Sequence, residues 1–135
     1  MNKYSADELF KIAYSHLQKK DFAKSSQLFE KLLKDYPDNL SLLRNISHAY
    51  AFSGAFQKAE ESIKKIIKIK PDEPFAYQFL ASILKSQDKI TEMIKIVNEG
   101  LEKNLINKKW ELQKKLLSPL IAGDKKEIDD YRKKI

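Results

Sequence analysis

The 135-residue sequence contains no cysteine, only three glycines and four prolines, and two histidines. Without cysteine, disulfides and thiolate metal sites are excluded, and nothing asks for an oxidising compartment. So few glycines and prolines cannot supply the turns of a β-sandwich, and no segment alternates apolar and polar residues for long. Long apolar runs are also missing. No stretch approaches membrane-span length, and the opening MNKYSADELFKIAYS lacks the continuous apolar stretch of a signal peptide. A cytoplasmic location without a membrane span is therefore expected. Neither His16 nor His48 stands at metal-ligand spacing, and no phosphate-cradling glycine loop or nucleophile motif accompanies them. The carboxylate pairs Glu60-Glu61 and Asp129-Asp130 lie in charge-mixed stretches that read as solvated helix surface. The expectation is a non-enzyme with no catalytic residue, no metal and no cofactor.

What is present suits a soluble helical protein: 42% hydrophobic and 33% charged residues in a chain long enough for one domain with a real core. The net charge of +7 is unevenly spread. Residues 108–135 carry 9 Lys/Arg against 5 Asp/Glu, in pairs such as Lys108-Lys109, Lys114-Lys115 and Lys125-Lys126. A solvated helical face explains such pairs, with nucleic acid or an acidic partner as the alternative.

The same punctuation occurs twice, in DYPDN (35–39) and IKPDE (69–73), with Pro37 and Pro71 34 residues apart. At that offset Leu9, Leu43 and Tyr77 coincide, as do Ile12, Ile46 and Leu80, then Ala13, Ser47 and Ala81, then His16, Tyr50 and Leu84. Within each unit these positions run i, i+3, i+4, i+7, one face of an α-helix. Turns follow at Lys20-Asp21-Phe22, Gly54-Ala55-Phe56 and Asp88-Lys89-Ile90. A second helical face then aligns Ser25, Ala59 and Met93, then Phe29, Ile63 and Val97, then Leu32, Ile66 and Gly100. Three helical hairpins are predicted, over about 6–39, 40–73 and 74–107. Proline stops each second helix, and Asp38 and Asp72 are expected to cap the next. Leu105 stands where a third proline would be, with Asn104 and Asn107 as the breakers. His16 shares a core slot. Residues 108–135 read as a degenerate, basic capping pair of helices, with Trp110 and Leu117 covering the third unit and Pro119 ending its first helix.

This pattern resembles the tetratricopeptide repeat family. The resemblance rests on Ile46, Ser47 and Tyr50 in ISHAY, the Gly54-x-Phe56-x-x-Ala59 turn, Pro71, and KDFAKSSQLFEKLLKDYPDN at 20–39. The chain departs from the family at His16, where Tyr is usual, and at Ser25 and Met93, where Ala is usual. The resemblance implies an all-α superhelical solenoid with the cap completing a single domain over 1–135. It also implies a concave groove lined by the first helices of the hairpins, which holds a partner peptide. In register, that face presents Phe10, Tyr14, Arg44, Asn45, His48, Phe52, Phe75, Gln78 and Phe79, with Leu17 and Ser82 beside them. An aromatic face of this kind marks a binding surface. Some family members clamp the C-terminal carboxylate of heat-shock chaperones with two Lys, two Asn and an Arg. Only Asn45 matches here, and Phe10, Tyr14, Phe75 and Phe79 occupy the other four slots, so a carboxylate-clamp chaperone-tail binder is not expected. The expected function is a protein-interaction module: an adaptor, scaffold or assembly factor. Self-association through the same surface, or service as part of a larger protein, is the alternative. Nucleic-acid binding through the basic C-terminal region is the lesser one.

Overall fold

The computed structural model describes residues 4–105, which form six α-helices in three successive hairpins: α1 (Ala6–Gln18), α2 (Phe22–Asp35), α3 (Leu40–Phe52), α4 (Phe56–Ile69), α5 (Pro74–Ser86) and α6 (Ile90–Glu102). There is no strand among the described residues. The expected capping helices over 108–135 lie outside them. The first helix of each hairpin begins at residue 6, 40 or 74 and the second at 22, 56 or 90, so the sequence period of 34 is carried into the backbone. The chain divides into two compact units, residues 1–71 with α1 to α4 and residues 72–135 with α5 and α6.

The sequence register predicts which residues are buried. In the first unit Leu9, Ala13, Phe29, Leu32, Leu42 and Ile46 form a core against which Ala6, Phe10, Leu17, Leu28, Leu33 and Tyr50 pack. α2 packs on both α1 and α3, and α3 packs on α4. Ser47 and Ala59, the small residues of the second hairpin, are fully buried together with Ile63. Small side chains let helix backbones approach, and the long ones fill the remaining volume. In the second unit Tyr77, Leu80, Ala81, Leu84, Met93 and Val97 are buried at the corresponding slots. The buried hydroxyls are satisfied within their helices: Ser47 Oγ donates to the Leu43 carbonyl at 2.6 Å and Ser25 Oγ to that of Phe22 at 3.1 Å. That satisfaction lets serine stand in a slot otherwise suited to alanine.

Each hairpin turns through one residue with left-handed backbone: Lys20 (φ 64°), Gly54 (φ 85°) and Asp88 (φ 59°), again 34 apart. The next amide in each case bonds back to a carbonyl five residues earlier: Asp21 to His16 at 2.8 Å, Ala55 to Tyr50 at 2.8 Å and Lys89 to Leu84 at 2.9 Å. This bond satisfies a carbonyl that the end of the helix leaves open. Only glycine takes that φ without strain, and at Lys20 and Asp88 the conformation costs about 1 kcal/mol each. Asn104 (φ 56°) repeats the arrangement after α6, with Leu105 N bonding to Gly100 O at 2.8 Å, so a left-handed asparagine ends the third hairpin in place of proline.

The capping residues differ from expectation by one position. Asn39, not Asp38, caps α3 by accepting from Leu42 N at 3.0 Å, and Asp38 instead lies 3.7 Å from Lys65 Nζ. α5 starts at Pro74 with Glu73 before it and no side-chain cap. Proline at the first helical position lacks the N–H that a cap would satisfy, which lessens the need for one. His16 is partly exposed rather than a packed core residue, with Nδ1 3.8 Å from Asp21 Oδ2. Among the described residues no helix is long and apolar enough to cross a membrane.

Candidate functional site

The residues expected to line the groove fall into separate clusters within the two units. In α1, Phe10 and Tyr14 lie one turn apart, their rings nearly parallel with centroids at 6.3 Å. Phe10 is half-buried, because its ring also meets Phe29 edge-on at 5.8 Å. Tyr14 is 43% exposed. Leu17 packs against the core. The α1 face is thus a graded surface, with Phe10 anchored to the interior and Tyr14 presented to solvent.

In α3, Arg44 is exposed and Asn45 half-buried, with Asn45 Nδ2 donating to the Ser41 carbonyl at 2.8 Å. That bond turns the Asn45 amide onto its own helix. One turn further on, the His48 ring stacks on Phe52 at 5.6 Å, and Phe52 in turn leans on Phe22 at 5.8 Å. Phe52 is 62% exposed. Phe22 is a member of this cluster that the sequence register did not single out. The signal was present in its place directly after the turn, where Phe56 and Ile90 stand in the other hairpins.

Behind this face, the Tyr50 hydroxyl on α3 donates to Glu30 Oε1 on α2, and Lys58 Nζ lies 5.6 Å from the centre of the Tyr50 ring. Burial raises the Tyr50 phenol well above its ordinary value, and the hydrogen bond to Glu30 and the charges of Glu30 and Glu61 add to the effect.

In the second unit, Phe75 and Phe79 stack at 5.2 Å and, with Gln78 and Ser82, line a shallow open depression of about 230 Å³. Gln78 Nε2 donates to the Leu105 carbonyl at 3.4 Å, which holds the amide at the edge of the depression. Tyr77 beneath it is buried, and its hydroxyl accepts from Lys103 Nζ at 2.9 Å.

His48 gives this surface a pH dependence. Burial, and secondarily the Arg44 charge, hold its imidazole below the ordinary value of 6.5. Protonation is thus disfavoured in the folded chain relative to the unfolded one. The stability linked to His48 is complete above pH 6.5 and is lost as the pH falls through the lowered folded value. Thermal unfolding followed from pH 8 to pH 5 should show a decline below about 6.5 that His48→Gln reduces. An identical decline in the variant would assign it to other groups.

No three His, Cys, Asp or Glu side chains are grouped to hold a metal ion among the described residues.

The tetratricopeptide repeat profile matches residues 16–84, from the end of α1 through most of α5. Among characterised proteins, the Protein CTR9 homolog of Arabidopsis thaliana is 38% identical over 60 residues, which is 44% of this chain and 6% of that one. The aspartyl/asparaginyl beta-hydroxylase of Homo sapiens is 29% identical over 73 residues, 54% of this chain and 10% of that protein. The chain therefore spans a tenth or less of these curated relatives. Two solved structures share the fold at lower identity. The Sgt2 TPR domain from Aspergillus fumigatus superposes with a TM-score of 0.70 at 20% identity, covering 87% of this chain and 79% of that one. The first TPR of Spaghetti (RPAP3) superposes with a TM-score of 0.72 at 18% identity, covering 90% and 97%.

The RPAP3 domain was solved bound to the HSP90 peptide SRMEEVD. This corrects the expectation that a chaperone tail is excluded. That exclusion rested on the lack of donors and positive charge at four slots that carry rings. In the structure Phe10 is half-buried against Phe29, Phe75 packs on Phe79, and the Arg44 guanidinium is exposed. The non-enzymatic reading rests on the family, whose fold is a scaffold. With one period written into both helices of every hairpin and the profile matching about half of the chain, from the end of α1 into α5, the chain belongs to the tetratricopeptide repeat family.

Proposed function

We propose that the chain is a peptide-binding interaction module, serving as an adaptor, scaffold or assembly factor, and that its partner meets the aromatic face of α1 and α3 in the first unit. The observation that carries this is the exposure of Phe52, a large ring 62% open to solvent yet fixed between His48 and Phe22. An aromatic side chain held in place at the surface loses little conformational freedom on binding and can bury a large area, the usual character of an interaction hot spot. The stacked pair Phe75 and Phe79 supplies a second such surface in the second unit. A peptide-bound relative of the same fold supports the reading. A cytoplasmic setting belongs to this proposal, supported by a sequence without cysteine.

The test is capture from native cell extract by the immobilised protein, compared with Phe52→Ala and with the double change Phe75→Ala, Phe79→Ala. Specific capture should be lost or reduced about tenfold or more in each variant, since hot-spot rings contribute ~2 kcal/mol or more. Circular dichroism should show unchanged helicity. Undiminished capture by both variants would refute the proposal. Sedimentation that depends on concentration in the parent chain, and is abolished by Phe52→Ala, would assign the face to a second copy instead.

A further inference from the structure

The first unit holds an open cavity of about 400 Å³ that the register of the groove did not include. It lies where three chain ends meet: the first turns of α1, the last turn of α2 and the start of α3. Phe10, Leu32 and Leu42 give it apolar walls, and Asp7, Tyr36 and Asn39 contribute polar groups. Leu32 and Leu42 are core residues, so that side of the cavity is continuous with the interior of the unit and rigid. Tyr36 is 49% exposed and lines the cavity, which is open to solvent. The volume falls within the roughly 300–1,000 Å³ of ligand pockets, room for one large apolar side chain with space for neighbouring backbone.

Its polar groups are specific in sign. Among the described residues Asp7 is the only charged one lining the cavity, so it supplies a carboxylate to a site in a chain whose net charge is +7. Asn39 Oδ1 is committed to the Leu42 amide at 3.0 Å, which leaves its Nδ2 as a donor for a carbonyl. Apolar walls, one carboxylate and one amide donor form the complement of a peptide that presents a large apolar residue beside a lysine or arginine.

We infer that this cavity is an anchor subsite for a Phe or Leu side chain of the partner peptide, with an adjacent Lys or Arg of that peptide paired to Asp7. The inference deepens the proposed function and rests on it. Phe10 links the two, since it walls the cavity and stacks on Tyr14 of the outer face.

The test uses three synthetic hexapeptides, GSFKGS, GSFEGS and GSAKGS, each titrated to millimolar concentration into the full chain carrying ¹⁵N. GSFKGS should shift the amides of Ala6, Asp7, Asn39 and Ser41 in a saturable way. It should bind about threefold or more tightly than GSFEGS, as expected of an exposed ion pair. It should also bind about tenfold or more tightly than GSAKGS, as burial of a ring demands. Asp7→Lys should reverse the preference between GSFKGS and GSFEGS. Tyr36→Ala, at a half-exposed position that spares the core, should weaken both. Absence of saturable shifts at these amides overturns the subsite, as does equal binding of all three peptides. An unchanged preference in Asp7→Lys overturns the charge assignment. Phe52→Ala should leave the hexapeptide preference intact. Loss of extract capture in Phe52→Ala and loss of peptide selectivity in Asp7→Lys therefore report separately on the outer face and on the cavity.

Discussion

Replacing Phe29 with alanine should lower the stability of the first unit by about 3–5 kcal/mol. Phe29 has no exposed surface and sits among Leu9, Ala13, Leu32, Leu42 and Ile46, with its ring edge-on to Phe10. Truncation removes the transfer free energy of the ring and leaves a cavity. Its neighbours lie on α1, α2 and α3, so no single helix can shift to close it without opening another contact. Against a typical domain stability of ~5–15 kcal/mol, such a loss takes about a fifth of the total or more. Denaturant unfolding followed by circular dichroism would show a lower midpoint with little change in slope. Phe29→Leu, which restores most of the volume, should recover the greater part. A loss below about 1 kcal/mol would mean that the surrounding helices collapse onto the gap. The variant should also loosen the outer face, because Phe10 loses the partner that fixes it and Tyr14 stacks on Phe10.

The corresponding test in the second unit is Tyr77. Its ring is 1% exposed and its hydroxyl accepts from Lys103 Nζ at 2.9 Å, with the ammonium also 5.3 Å from the ring centre. Tyr77→Ala should cost about 3–5 kcal/mol, as for any fully buried aromatic ring. Tyr77→Phe separates the packing from the polar contact. The ring volume is kept, so most of the stability should remain. The hydrogen bond chiefly responsible for holding the Lys103 amine above its ordinary value is removed. The Lys103 titration, followed by NMR of the side chain, should therefore move downward in Tyr77→Phe. A titration that stays in place would show that the hydroxyl does not hold the amine.

The positions of helices and core were legible because both follow from where apolar residues recur. Leu9, Leu43 and Tyr77, or Phe29, Ile63 and Val97, share a slot in the sequence and are buried in the structure. The caps were less legible, since Asp38 and Asn39 stand side by side and either can accept from a helix N-terminus. Chain geometry after Pro37 selects Asn39. His16 shows a similar limit: its slot holds Tyr50 and Leu84 in the other two hairpins, yet His16 lies at a partly open edge beside Asp21. The aromatic face was found by register, but register cannot measure depth. Phe10 and Phe52 belong to the same expected surface, yet the first is half-buried against Phe29 and the second stays exposed with Phe22 beside it. The cavity beside Tyr36 was not legible, because it is assembled from the ends of α1, α2 and α3, and of its described lining only Asp7 and Ser41 share a repeat position.

In the first unit each helix packs on its neighbours in the chain, α1 on α2, α2 on α3 and α3 on α4, across turns of a few residues. Contacts so close in sequence require little loop closure before they form. Folding should therefore be rapid, in the microsecond-to-millisecond range typical of helical proteins with local contacts (~10⁻⁶–10⁻³ s). It should also follow the order of synthesis. α1 and α2 can pair as soon as residue 35 has emerged, and α3 then meets a surface that already exists. Chains are made at roughly 5–20 residues per second, far more slowly than such a hairpin closes. The Phe10 and Tyr14 face would then be in place before Phe52 has emerged to join it.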